Sequence, residues 1–400
     1  MNLSLGIQEE ELISKHIQYA KFVSYGGTLV FNTIIDLWIV HTFSSSNILG
    51  QTMAIASSAT FICSVFGGYI ADSKYLLAVI KGINLISGIL CLAFVGLYHY
   101  QTHLDLWQVN TAVFLLNVNA YLSSPIFKKM VNFFVKREAM MTFNQTMALG
   151  TQVLSVTVPP ISTFLYGWHW LSLPTAFLLN GLSFFGAFFF LKPFTLTEQP
   201  SQKFVGYRQT FKNIFSNPSL LQFLFMGVML NFFLAGLNIF FPIMVIHQLH
   251  EGHLYGAVLA SQAVGGIVGS YSISKIPITK SLTFERIGLV VISLVLLLLT
   301  ILQTIAFIFV VAVIISIVLS RYNIASQTIV QREVDSALIG KTFSAIFIFA
   351  NIASPVGNLS FGYINGVSMN LTLIVVAVGF VIFNLMWIMI DRRYQKRSHG

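Results

Sequence analysis

The sequence predicts an all-α membrane protein of twelve transmembrane helices in two six-helix halves, and three observations predict it. Of the 400 residues, 56% are hydrophobic and only 9% charged, with a mean hydropathy of +0.80, whereas soluble domains carry about 25% charged residues. The apolar residues come in blocks of about 20, the length a helix needs to cross about 30 Å of hydrocarbon, without the alternation of a β-barrel strand. The 22 Lys and Arg residues gather in alternate connections, leaving the others bare.

Taken in order, the blocks place spans near 18–42, 47–70, 76–98, 107–127, 142–166, 170–191, 220–246, 253–274, 284–301, 304–325, 341–365 and 370–390. The boundary inside 284–325 rests on Gln303 and Thr304, the polar pair that offers a turn within a long apolar run. The first 14 residues carry Glu9, Glu10 and Glu11 and lack the basic start of a signal peptide, so the first span is expected to act as its own insertion signal. Cys63 and Cys91 both fall in apolar blocks, which offers neither a disulfide framework nor a zinc cluster.

Orientation follows from the basic residues, because cytoplasmic connections retain them. Lys15 and Lys21 accompany the first span, Lys74 and Lys81 the second connection, and Lys128, Lys129, Lys136 and Arg137 the fourth. Lys192, Lys203, Arg208 and Lys212 lie in the sixth connection, Lys275, Lys280 and Arg286 in the eighth, and Arg321, Arg332 and Lys341 in the tenth. Arg392, Arg393, Lys396 and Arg397 close the chain. Both termini are therefore expected in the cytoplasm. The net charge of +9 is explained by topology and anionic lipid, without nucleic acid.

The long connection 192–219 separates a first half, 1–191, from a second, 220–400. Within it FVGYRQTFKNIF spaces Phe204, Tyr207, Phe211 and Phe215 helically away from Lys203, Arg208 and Lys212. It reads as an interfacial helix, with a partly ordered tether as the alternative.

VFGGYIADSKYLL, between the second and third spans, is similar to the loop signature of the major facilitator superfamily: Gly68 and Asp72 match, Lys74 stands for the basic partners, and Tyr75, Leu76 and Leu77 depart from the pattern. FNQTMALG (143–150), FLLNGLSFFGAFFF (177–190), YGAVLASQAVGGIVGS (255–270) and QREVDSALIGKTFS (331–344) resemble the macrolide-efflux and enterobactin-exporter branch of that superfamily. The resemblance implies a transporter of two six-helix halves whose Gly68, Asp72 and Lys74 form a cytoplasmic gating motif. In LSVTVPPISTFLYG, Pro159 and Pro160 stand without the adjacent Gly of the family's antiport signature, which weakens the case for efflux. The two prolines are expected to kink the fifth span. Gly265, Gly266 and Gly269 are expected to let helices approach closely.

Asp36 is the one acidic residue this reading places inside a span, and burying a carboxylate in lipid costs several kcal/mol. Asn32 precedes it by one helical turn on the same face. A desolvated carboxyl there suits proton coupling or substrate binding; the alternative is a carboxylate satisfied by Asn32, His41 or a hydroxyl of another helix. By the resemblance, Asn117, Asn119, Asn231, Asn238 and Asn323 lie on cavity-lining helices, yet each could equally be interhelical glue. With no Lys or Arg assigned to a span's interior, a neutral or cationic cargo is expected. His247, His250 and His253 recur every three residues at an external turn, which suits a metal pair if that turn stays helical, external pH sensing, or simply the interface.

No P-loop, H-E-x-x-H or G-x-S-x-G pattern occurs, so neither ATP hydrolysis nor another enzymatic activity is expected, and no cofactor. The expected protein is a monomeric secondary transporter of a bacterial plasma membrane, its partners a small-molecule substrate, protons and lipid. It is expected to export amphipathic or drug-like molecules by proton antiport. The alternatives are a siderophore or metallophore exporter, a proton-coupled uptake permease, or a non-transporting membrane sensor.

Overall fold

The computed structural model describes residues 2–71, 75–135, 137–192, 214–273, 281–334 and 339–398. Among them stand twelve long helices and no strand: α1 (Asn2–Phe43), α2 (Ser46–Ala71), α3 (Leu76–Gln101), α4 (Leu106–Phe134), α5 (Arg137–Gly167), α6 (Leu173–Leu191), α7 (Pro218–Pro242), α8 (Tyr255–Ile273), α9 (Ser281–Leu299), α10 (Ile305–Glu333), α11 (Ile339–Val367) and α12 (Met369–Ser398). Each predicted span coincides with one helix. Several helices overrun their span, because a helix that has crossed the hydrocarbon goes on satisfying its own backbone where polar residues follow.

Seven helices contain described stretches long and apolar enough to cross a membrane: Ser14–Phe43, Leu76–Gln101, Thr142–Gly167, Leu173–Leu191, Leu220–Gln248, Ile305–Ser326 and Met369–Met386. In α8, a Cβ on Gly265 would strike the carbonyl oxygen of Val313, and one on Gly269 would come within 2.5 Å of the Ile317 carbonyl oxygen. Both glycines therefore seat α8 on the backbone of α10, as the spacing predicts. Gly266 faces open space within 4 Å and takes no part.

By its contacts the chain divides into two units, Met1–Trp38 with Ile55–Phe204, and Ile39–Ala54 with Val205–Gly400. The tip of the α1–α2 hairpin thus belongs with the second unit. There α2 crosses α11 backbone to backbone: a Cβ on Gly50 would stand 2.7 Å from Gly362 Cα, and Asn365 Nδ2 donates to Ser46 Oγ over 2.8 Å. In the first unit, Ile17, Ala20, Leu76, Ile80, Ile126 and Met130 are among the residues of a buried apolar cluster.

α5 continues as helix through Pro159 and Pro160. At the end of α7, Pro242 is followed by a π turn, Ile243–Gln248, closed by Leu249 N–H donating to the Met244 carbonyl over 2.9 Å. Residue 242 has no N–H to offer residue 238, and the widened turn resumes the ladder beyond that gap. Most of the proposed interfacial helix at 204–215 lies outside the described residues; only 214–216 is seen, and it is helical.

Candidate functional site

In the first unit α1 turns one face into protein and leaves another polar. Gly27 lies against Ser183 and Asn180 of α6, and the Phe22 ring covers Gly150 of α5, so α1 approaches both helices closely where a Cβ would block it. Phe31 packs edge-on against Phe177 with centroids 5.0 Å apart, and Phe177 stacks on Phe94 of α3 at 5.3 Å. Ile17, Ala20, Phe31, Ile34 and Ile35 are buried on this side.

Lys21, Tyr25, Thr28, Asn32 and Asp36 recur every three or four residues and line up along α1, none of them buried, over about 22 Å of helix. Asn32 is exposed and Asp36 half-buried and engaged by contacts of its own. Below them, the Tyr25 hydroxyl and Ser155 Oγ of α5 are 2.9 Å apart, and Lys21 Nζ stands 5.9 Å from the Tyr25 ring centroid and 5.4 Å from that of Phe127. The sequence reading singled out Asn32 and Asp36; the continuation to Lys21 was legible in the same four-residue spacing.

The asparagines separate by environment. Asn119 is buried; its Nδ2 donates to Ser87 Oγ at 2.7 Å and the Ile83 carbonyl at 3.1 Å, and its Oδ1 accepts from Ser123 Oγ at 2.8 Å. It ties α4 to α3. Asn117, also buried, donates to the Val113 carbonyl of its own helix at 2.8 Å. Asn231 donates to the Gly227 carbonyl at 2.9 Å and accepts from Ser354 Oγ at 3.3 Å, joining α7 to α11. Asn238 differs: its side chain is exposed on a helix otherwise largely buried, and Pro242 one turn on frees its backbone carbonyl. Asn323 is exposed on α10. Gly68 lies in the last turn of α2, whereas Asp72 and Lys74 fall outside the described residues.

His247, His250 and His253 are all exposed but do not share an α-helix. His247 lies in the π turn, His250 takes a left-handed backbone (φ 56°), and His253 sits in a short 3₁₀ turn with Nε2 3.5 Å from Glu251 Oε2. The helical spacing on which a shared metal depends is therefore broken, and no group of three or more His, Cys, Asp or Glu suited to a metal occurs among the described residues.

Two expectations are corrected in the second unit. Asp36 is not the only acid within a helical span, and the span interiors do contain a buried cation. Glu285 of α9 is fully buried, with Oε1 3.3 Å from Nε of Arg321, itself 8% exposed well inside α10. Arg321 Nη1 donates to Ser272 Oγ of α8 at 3.0 Å, and its guanidinium lies 5.7 Å from the Phe284 ring centroid. Assigning Arg321 to a cytoplasmic connection failed because an opposite charge, a hydroxyl and a ring face together offset its burial. The signal was present in the sequence: Arg321 falls sixteen residues into an apolar block beginning at Ile305.

A helical chain with this many stretches long and apolar enough to cross a membrane is a multi-pass membrane protein. The sequence profile of the Major Facilitator Superfamily matches residues 19–358, and the chain belongs to that superfamily. Among solved structures, it is similar to a bacterial homologue of the iron transporter ferroportin, with 12% identity, TM-score 0.75, and 94% of this chain and 98% of that one covered. A bacterial homologue of the human lysosomal transporter Spinster shares 14% identity and TM-score 0.70 over 97% of this chain and 98% of that one. The nucleoside transporter NupG shares 12% identity and TM-score 0.71 over 94% and 98%. At such identities the likeness is one of fold. Comparison with curated proteins finds no match.

Proposed function

We propose that this transporter exports small amphipathic or drug-like molecules in exchange for protons, with Asp36 as the proton-carrying group and Asn32 beside it. The observation that carries the reading is the polar stripe of α1. A half-buried carboxylate kept within an apolar span, in line with other polar side chains, can bind a proton or a cationic cargo group and release one for the other. Asn238 and Asn323, both exposed within spans, are the further cargo contacts of this reading. Gly68, Asp72 and Lys74 serve as its cytoplasmic gating motif. Glu285 and Arg321 offset each other and add no net charge to the spans, which leaves the preference for neutral or cationic cargo standing.

Lys21, on the same stripe at the opposite end from Asp36, favours one second reading: export of an acidic metabolite such as a siderophore or other metallophore, whose carboxylates a cation would receive. The resemblance to the macrolide-efflux and enterobactin-exporter branch accommodates both. The basic residues support cytoplasmic termini. Purified protein in liposomes under an imposed pH gradient, offered cationic dyes, macrolides and a ferric siderophore, tests these readings. Gradient-driven flux of dyes or macrolides supports the first, and flux of the siderophore alone the second. Flux only in the uptake direction moves the assignment to a permease, and no flux of any of them to a non-transporting sensor.

A further inference from the structure

We propose that Glu285 is a second proton-binding site, reached from the cytoplasmic side and separate from Asp36, with Arg321 as the partner whose charge it cancels while ionised. The carboxyl group is fully buried, yet among the described residues neither of its oxygens accepts a hydrogen bond. Its compensation is one contact, 3.3 Å, with the Nε edge of Arg321, where a buried ionised carboxylate ordinarily gathers several donors. Arg321 is supported independently of it: Nη1 is held by Ser272 and the guanidinium lies over the Phe284 ring, while Nη2 has no hydrogen-bond partner among the described residues. A proton that neutralises Glu285 leaves Arg321 held by the Ser272 hydroxyl and the Phe284 ring face.

Replacing a buried ion pair by apolar residues is commonly neutral or stabilising. A titrating role accounts for an ion pair where packing does not ask for one.

Among the described residues, Arg321 faces the carboxyl from α10, Arg286 adjoins it on α9, α8 contributes the neutral Ser272, and the described part of α12 contributes Asn384, whose Nδ2 donates to the Arg286 carbonyl at 2.8 Å. Glu285 lies one turn into α9, just after the connection that carries Lys275 and Lys280, which by charge retention is cytoplasmic.

Infrared difference spectroscopy of the purified full-length protein, titrated from about pH 9 to about pH 4 to span the carboxyl range, tests the site without any cargo. The carboxyl stretch that appears on acidification should be diminished in Glu285→Gln and retained from Glu285 in Asp36→Asn. In Arg321→Gln its midpoint should rise by about 1–3 pH units, because the cation that favours the ionised form is gone. Identical spectra for wild type and Glu285→Gln overturn the proposal, as does an unmoved midpoint in Arg321→Gln. Should Glu285→Gln fail to fold, Glu285→Asp must displace the same band, and an unchanged spectrum is equally fatal. Loss of gradient-driven flux in Asp36→Asn with the Glu285 band intact separates the two sites.

Discussion

Asp36 and Asn119 are both polar groups inside spans, and their surroundings divide them. Asn119 uses both ends of its amide across α3 and α4, so Asn119→Leu should destabilise the first unit by about 1–2 kcal/mol, read as a lowered melting temperature in detergent, with transport direction unchanged. Asp36 is half-buried in line with Lys21, Tyr25, Thr28 and Asn32 along α1. Asp36→Asn should leave melting within about 0.5 kcal/mol of wild type yet abolish pH-gradient-driven flux; full retention of coupling removes Asp36 from the mechanism. An intramembrane acid was readable from sequence because Asp36 interrupts an apolar run. Asn119 was not separable from Asn238 by sequence, since hydrogen-bond partners on other helices carry no local signal.

Two glycine crossings dominate at the level of elements. α8 lies on the backbone of α10 at Gly265 and Gly269, and α2 meets α11 at Gly50 and Gly362. Dispersion between close backbones substitutes for the hydrophobic drive that lipid does not supply. Gly269→Leu should cost about 1–3 kcal/mol through forced separation of α8 from α10, measured as loss of thermal stability, whereas Gly266→Leu, facing open space, should be nearly neutral. Equal loss in the two variants would show that the crossing does not depend on Gly269. The periodic apolar blocks made every helix legible. The π turn after Pro242 was not, because a proline removes a donor without specifying whether the chain kinks, breaks or widens its next turn.

For the whole molecule the sidedness prediction is direct. Cys63 and Cys91 are buried and free, so a cysteine introduced at exposed His103 should react with an impermeant maleimide added outside intact cells. One at Lys396 should react only after the membrane is opened. The reverse pattern would invert the topology drawn from the basic residues. By itself the sequence determined the helices, their number and this expected sidedness, because apolar length and the placement of Lys and Arg are enforced by the bilayer residue by residue, without reference to neighbours. Tertiary structure alone decided that Asn119 bonds across α3 and α4, that the hairpin tip of α1 and α2 belongs with the second unit, and that Glu285 and Arg321 are buried against each other. Those outcomes depend on which helices meet and at what depth, and a charge's cost inside the membrane is set by the partner that the fold brings to it.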